Sequence, residues 1–508
     1  MRLFCYSVLY LLTGLIATML ADTSPHSDTP SMEPSKTTLG PKFSNISQPS
    51  STQVHSAQTT TTTSAATSTT GSTTVEQAND DEQKSFVVIP IDRFSLESNN
   101  ETENALQKYP GNRGLFAHRY GDEITSWRIQ LTDSEVKEVQ NLPGVKAVEK
   151  NRKCIRNRAT PLKAVTSPVA KLTDPKPKHK RHDPYTTQFN APTELVALSQ
   201  PPSDDGTTNI DQFKNYIYET SAGENSFVYH LEDGVAYNAQ PLLQEEFTKV
   251  QTLQTPLAKY VLARPDVDIG NSHATCVADK AVGKNFGVAK EATLIVVKMY
   301  AMEVDELVAG YRLIRDDIES HPERQGKSVV FSAVLVDVDF DLSLFNMDIE
   351  MKQYIQDIMN FDVPVVQSAG NLADKGHPLV DSYPAVFEGP DFPMIIVGST
   401  APNGEISSFS QRGDHVSIYS TGESVSCLDA NGIESRGSGT SLAAPIVASQ
   451  IAIILSHDAL PFQTQRGNLV KDLKEYLTSR YSSTIRGPGQ ERVLWNGVHL
   501  IDNPRFIK

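Results

Sequence analysis

The sequence predicts an α/β fold: a mainly parallel sheet covered by helices, preceded by a small α+β module and by a segment too polar to fold. Three observations predict it. From about residue 209 onward, short β-branched runs alternate with stretches of helical period. Between residues 85 and 151 a shorter pattern of strand, helix and strand stands apart. Residues 22–74 hold 27 Ser or Thr among 53 positions, with almost no large apolar side chain to bury. At 508 residues the chain has length for two or three domains and at least one large core.

The first residues, MRLFCYSVLYLLTGLIATMLA, put one Arg ahead of an apolar run that ends in small residues near Ala21. That is the layout of a secretory signal peptide over 1–21, with a retained membrane anchor as the competing reading. No later apolar run reaches the length needed to span a bilayer. Residues 22–84 are expected to be a disordered, O-glycosylated stalk, and Asn45 and Asn100 head possible N-glycosylation sequons.

The module at 85–153 begins with SFVVIPIDRF, which reads as a strand, and continues through SWRIQLTDSEVKEVQNLPGVKAVEKN at 126–151 as strand, helix, turn and strand. Thr132 and Glu135 are spaced as a capping box for that helix. A basic linker follows over 154–208. Residues 150–181 carry eleven Lys or Arg against one acid, Asp174, in a chain of net charge −15. No aromatic residues are interleaved with this charge, which argues against nucleic-acid binding. The linker holds a dibasic pair, Lys180-Arg181, of the kind that secretory processing proteases cut, so cleavage after Arg181 is expected to release the mature chain.

Of four cysteines, Cys5 lies in the signal segment and Cys154, Cys276 and Cys427 remain, too few for a disulfide framework. A Cys276–Cys427 pair stays open, as does an accessible, reactive Cys276; a small buried core residue is the plainer reading of Cys276.

In the domain at 209–508, SFVYHLE, ATLIVVKM, SVVFSAVLVDV, VPVVQSA and MIIVGST read as buried strands, with DELVAGYRLIRDDIES and NMDIEMKQYIQDIMN as amphipathic helices between them. Active sites in such sheets lie at the carboxyl ends of the strands. Three stretches bring chemistry there. In GSGTSLAAPIVASQIAIIL, residues 437–455, a glycine-rich turn delivers Ser441 to the first turn of an apolar helix, where the dipole and backbone N–H groups suit an oxyanion. A serine there is by itself usually only a cap. His273 opens a second apolar segment, and VPVVQSAGN at 363–371 ends a strand in Asn371, whose amide can donate to an oxyanion or simply make a turn.

Taken in order, acid, His, Asn and Ser resemble the subtilisin-like serine proteases, the subtilase family, in its secreted fungal type. GTSLAAPIVA resembles that family's nucleophile motif and places the nucleophile on Ser441. SHATCVADKAVGKNFGVAKEATLIVVK is similar to its histidine motif and places the base on His273, while SAGN places the oxyanion donor on Asn371. The resemblance covers roughly 209–455, and 85–151 resembles the family's N-terminal inhibitory prodomain. It implies a three-layer subtilisin-like domain, no organic cofactor, and protein or peptide substrates; calcium is common in the family, and no stretch here specifies a site for it or for another metal.

The first motif departs from the family. SFVYHLEDGVAYN, residues 226–238, puts Glu232 where the family has its catalytic Asp, with Asp233 one position on and Gly234 in register. Glutamate can orient a histidine as aspartate does, but its extra methylene adds about 1.5 Å of reach that the site must absorb. Asp233, the alternative acid, faces the opposite side of an extended strand unless the chain bends after Glu232. His230 shares the face of Glu232 and could pair with it; a structural histidine is the plainer reading. Ala274 stands for the glycine after the histidine, Thr421 for a downstream proline, and FSAVL at 331–335 for the substrate-strand motif. Val334 and Leu335 argue against free pairing of a substrate at that edge.

The expectation is a secreted, monomeric serine endopeptidase made as a zymogen, blocked by its own prodomain, with no nucleic-acid partner and no stable membrane anchor. The alternatives are a proteolytically weak or inactive relative that binds peptides, and a cell-surface or wall protein carrying a vestigial protease fold.

Overall fold

Nine strands form the central sheet, in the order Val250–Gln254, Thr293–Lys298, Phe227–Glu232, Ser328–Ser332, Val365–Ser368, Ile395–Thr400, Ile418–Thr421, Arg492–Leu494 and Ser483–Ile485. All neighbours pair in parallel except the last two. The structure is a computed structural model and describes residues 82–156, 160–165, 185–202, 210–270, 272–337, 342, 347–486, 489, 491–499 and 502–503. The expected signal, nearly all of the Ser/Thr-rich segment, Asn45 and the Lys180-Arg181 pair lie outside these residues.

The strands are near-continuous apolar runs because helices cover both faces. On one face lie His273–Val282 and Thr440–Ser456, on the other Val304–Ser320 and Met347–Asn360. Thr440–Ser456 is buried along almost its whole length, so its apolar residues run all round the helix rather than along one stripe. Among the described residues no helix is long and apolar enough to cross a membrane.

One expected strand divides. SVVFSAVLVDV forms Ser328–Ser332 in the central sheet and Val334–Asp337 in a separate three-stranded sheet, with Ala333 between them. The Ser332 hydroxyl accepts from Val334 N at 3.1 Å, a local turn that competes with the ladder and turns the chain out of the sheet.

The N-terminal module is an antiparallel sheet ordered Phe116–Tyr120, Glu123–Leu131, Lys84–Pro90, Val145–Lys150, carrying the helices Leu96–Leu106 and Asp133–Val139. Phe86, Val88, Trp127 and Ile129 form its core. The capping box is present: Glu135 N donates to Thr132 Oγ1 at 3.3 Å and Thr132 N to Glu135 Oε2 at 2.8 Å. Asn100 is exposed on Leu96–Leu106.

Packing of the large domain reaches back into the span assigned to the linker. Tyr185–Gln188 pairs with Tyr216–Glu219, and Leu195 and Leu198 of the helix Thr193–Leu198 enter the core beneath His273–Val282. Glu194 there pairs with the fully buried Lys280, which also donates to the Phe286 carbonyl at 2.7 Å.

Candidate active site

Strand order reverses at Phe227–Glu232: the chain next forms Val250–Gln254 and Thr293–Lys298 on one side of it and then crosses to Ser328–Ser332 on the other, so its carboxyl end opens on the crevice where such sheets hold their sites. Glu232, the last residue of that strand, is 1 % exposed. The turn after it needs glycine. Gly234 has φ +109°, and a Cβ there would come within 2.4 Å of the Val267 carbonyl. Asp233 is fully buried on the other side, where a Cβ on Gly270 would lie 2.2 Å from its Oδ2. Lys298 shares that pocket: burial pushes its pKa down, against the attraction of Asp233.

His273 is the first residue of its helix, and its Nδ1 donates to Glu232 Oε1 at 2.5 Å. The residue before it, Ser272, has φ +68° and makes no side-chain cap. Capping comes from Asp268. Its Oδ2 accepts from Thr275 N at 2.8 Å and Thr275 Oγ1 at 2.6 Å, and its Oδ1 from Gly270 N at 2.8 Å. Burial raises its pKa against these bonds. Thr275 lies two residues beyond His273, so this cap fixes where the helix starts and where the imidazole stands.

Cys276, one turn further on, is joined to Cys427 in a disulfide that ties the histidine helix to the strand Val425–Leu428. It is neither a plain core thiol nor a reactive one. Cys154 is the free cysteine among the described residues.

Ser441 is the second residue of the helix Thr440–Ser456 and is fully buried. Asn371 follows the strand Val365–Ser368, and its Oδ1 accepts from both Thr440 N, at 2.9 Å, and Thr440 Oγ1, at 3.0 Å. The Thr440 hydroxyl accepts in turn from Gly370 N at 3.2 Å. With the carbonyl end turned to Thr440, the other end of the amide is a donor beside the serine helix. Gly370 has φ +117°, and a Cβ on it would meet Gln411 Oε1 at 1.6 Å, so only glycine passes there. Ser441 Oγ and His273 Nε2 are both buried, and neither has a hydrogen-bond partner among the described residues. A neutral imidazole whose Nδ1–H is bound to a carboxylate presents an unprotonated Nε2, the form that can take a proton from a hydroxyl.

Along the edge at Val334–Leu335 the chain pairs with a segment of its own. Ile155–Arg156 runs antiparallel to Val334–Leu335, and Thr160–Ala164 runs antiparallel to Glu434–Ser438, just ahead of Ser441. Val334 and Leu335 carry side chains away from the ladder, so the backbone groups stay available. The module is locked to Val304–Ser320 by charge. Arg128 reaches Glu303 at 2.6 Å and Asp305 at 3.0 Å, and Asn151 Nδ2 donates to Asp305 Oδ1 at 2.7 Å, all nearly buried. Burial opposes the charge on Asp305 more than any one partner favours it, but Arg128, His118 and Asn151 together outweigh burial and hold the carboxyl well below its ordinary range.

Sequence reasoning missed Asp268, Gln411 and the tail at 155–164. Asp268 and its turn carry the Asx signal of a cap, in DIGNSH, legible only once the helix start is known. Gln411 carries none. Among the described residues no group of three or more acidic, His or Cys side chains is placed to hold a metal ion.

Residues 223–479 match the model of the subtilase family, Peptidase_S8. The chain is 28 % identical over 310 residues to alkaline protease 1 of Emericella nidulans, covering 60 % of this chain and 68 % of that protein. It is 29 % identical over 310 residues to subtilisin-like protease 1 of Trichophyton verrucosum, 59 % and 67 % of the two chains. To the subtilisin-like serine protease Pen ch 13 of Penicillium rubens it is 26 % identical over 290 residues, 56 % and 65 %. The alignments thus span about two thirds of each relative's length. Among solved structures, the epidermin leader peptide processing serine protease of Staphylococcus aureus shares the fold, with TM-score 0.52 at 16 % identity over 84 % of this chain and 99 % of that one. With the family matched over half its length, on a mainly parallel sheet of the same kind, this chain belongs to the subtilase family of serine proteases.

Proposed function

We propose that the chain is a secreted serine endopeptidase, made as an inactive precursor, that uses glutamate as the acid of its triad. The observation that carries this reading is the 2.5 Å contact from His273 Nδ1 to Glu232 Oε1, a buried acid seated on the imidazole. Ser441 Oγ attacks the scissile carbonyl; His273 Nε2 takes its proton and returns it to the leaving amine; Glu232 fixes the tautomer and stabilises the imidazolium. The Asn371 amide and the Ser441 backbone N–H receive the oxyanion. Water then releases the acyl group by the same proton route.

The pairing of Ile155–Arg156 and Thr160–Ala164 with the two strands beside Ser441 supports inhibition by the chain's own N-terminal part. An extended segment laid on those edges occupies the backbone groups that a substrate strand would use. Cleavage after Arg181 belongs to this reading as the step that frees the mature chain.

A second reading, a subtilase fold that binds peptides without cutting them, is favoured by one observation: the structure has no hydrogen bond between Ser441 and His273. Hydrolysis of a denatured protein by the processed chain, beside a Ser441→Ala variant, separates the two. The endopeptidase reading predicts a loss on the order of a thousandfold or more in the variant. Equal activity in the two proteins, or none in a correctly processed parent, favours the binding reading.

A further inference from the structure

His230 lies on the strand Phe227–Glu232 two residues before the acid, so both side chains point to one face. It is fully buried. Its ring lies flat on Phe331, its register partner on the adjacent strand, with centroids 4.6 Å apart and planes 12° from parallel. The Nε2 edge of the ring faces two oxygens: the Ala274 carbonyl at 3.2 Å and Glu232 Oε2 at 3.8 Å. Burial pushes the His230 pKa down to about 4, against the pull of Glu232, so the ring is neutral at ordinary pH. A neutral imidazole has one N–H. Both facing oxygens lie on the Nε2 edge and Nδ1 has no partner among the described residues, which puts the hydrogen on Nε2, donating to Ala274.

Ala274 is the residue after His273. One side chain therefore joins the strand that carries the acid to the first turn of the helix that carries the base. Glutamate has one more rotatable bond than aspartate, and its carboxylate must be held for Oε1 to stay on His273. The His230 ring edge, 3.8 Å from Oε2 and stacked on Phe331, limits how far the carboxylate can turn toward it. We propose that His230 is a positioning residue for peptide hydrolysis, bracing Glu232 against His273 in place of the shorter side chain that other subtilases carry there. The inference rests on the endopeptidase reading of Ser441, His273 and Glu232. A histidine that merely fills the core would give the same burial, but its replacement would move stability and leave turnover of the folded enzyme alone.

The test compares His230→Gln, whose amide nitrogen can reach the Ala274 carbonyl, with His230→Leu, which fills space without a donor. Kinetics on the processed enzyme are expected to show kcat lowered about ten- to a hundredfold in His230→Leu with KM within twofold, and most of that loss recovered in His230→Gln. Parental kcat in His230→Leu, or equal impairment in both variants, would overturn the proposal. Ser441→Ala in the same assay tells the two failures apart: if it still hydrolyses substrate, the catalytic reading is wrong, and if it is dead while His230→Leu is unimpaired, only the brace is wrong. A second readout needs no turnover. The His273 Nδ1 proton, bound to Glu232, should give a far-downfield proton resonance in the parent and in His230→Gln that is lost or broadened in His230→Leu; an unchanged resonance in His230→Leu counts against the brace.

Discussion

The half of the site that carries Ser441 is held by one compact set of contacts, from Asn371 and Gly370 to Thr440 beside the serine, whereas the half that carries His273 and Glu232 is held by three separate supports. Asp268 caps the helix, His230 ties the strand to it, and the Cys276–Cys427 disulfide anchors its next turn. By sequence resemblance, the stretches that carry Asn371 and Ser441 follow the family's pattern, while those that carry the acid and His273 depart from it at Glu232 and Ala274. A site that lengthens one side chain needs support elsewhere, because about 1 Å of misplacement can cost on the order of a hundredfold in rate.

That contrast can be broken first in the serine half. Asn371→Asp keeps an acceptor for Thr440 but removes the amide donor and adds charge. A fall in kcat of about a hundred- to a thousandfold, with the melting temperature nearly unchanged, is expected from enzyme assays and thermal melts. Retained activity would mean that Asn371 serves only as an anchor.

The N-terminal module sharpens the comparison, since it grips the large domain through Arg128. Arg128→Ala takes the guanidinium from the buried Asp305 and leaves Glu303 with Lys153 alone as its cation, at a cost of about 3 kcal/mol, so inhibition by the isolated N-terminal part should weaken about a hundredfold. The pH dependence follows from Asp305, whose folded pKa is depressed. Its contribution is fully present above the ordinary carboxylate pKa of about 4 and is lost as pH falls through the lower folded value. The cleaved module should therefore remain bound between pH 7 and pH 5 in size-exclusion runs; release within that window would contradict the role given to this pair.

The external support of the acid half gives a third break. The disulfide closes a loop with a sequence separation of 151 residues, for which chain entropy implies about 4 to 5 kcal/mol. Replacing both cysteines by Ala should lower the melting temperature by several degrees or more, and turnover at low temperature only slightly. An undiminished melting temperature would remove the disulfide from the list of supports.

The nucleophile helix, the central strands and the Thr132–Glu135 cap were legible because each rests on a local pattern: turn glycines, continuous β-branched runs, a capping spacing. What stayed hidden depends on partners distant in sequence. The basic stretch around 154–164 has the composition of a solvated linker, and nothing local says that its backbone completes two sheets. The Cys276–Cys427 pair was open in the sequence, but at 151 residues apart only the packing of the histidine helix on Val425–Leu428 decides it. Ala333 divides an apolar run that reads as one strand, because a single serine hydroxyl turns the chain there. Glu232 was legible through register with Gly234, while the means by which the site takes up its extra length were not.

The central claim is that Glu232 works as the acid of this site. Labelling of the processed, secreted protein with a fluorophosphonate probe, beside Ser441→Ala and Glu232→Gln with intact mass to define the N-terminus, tests it most directly. Rapid labelling of the parent that vanishes in Ser441→Ala and slows at least about a hundredfold in Glu232→Gln is the predicted result. Labelling of Glu232→Gln at the parental rate, or no labelling of a folded and correctly processed parent, would contradict it.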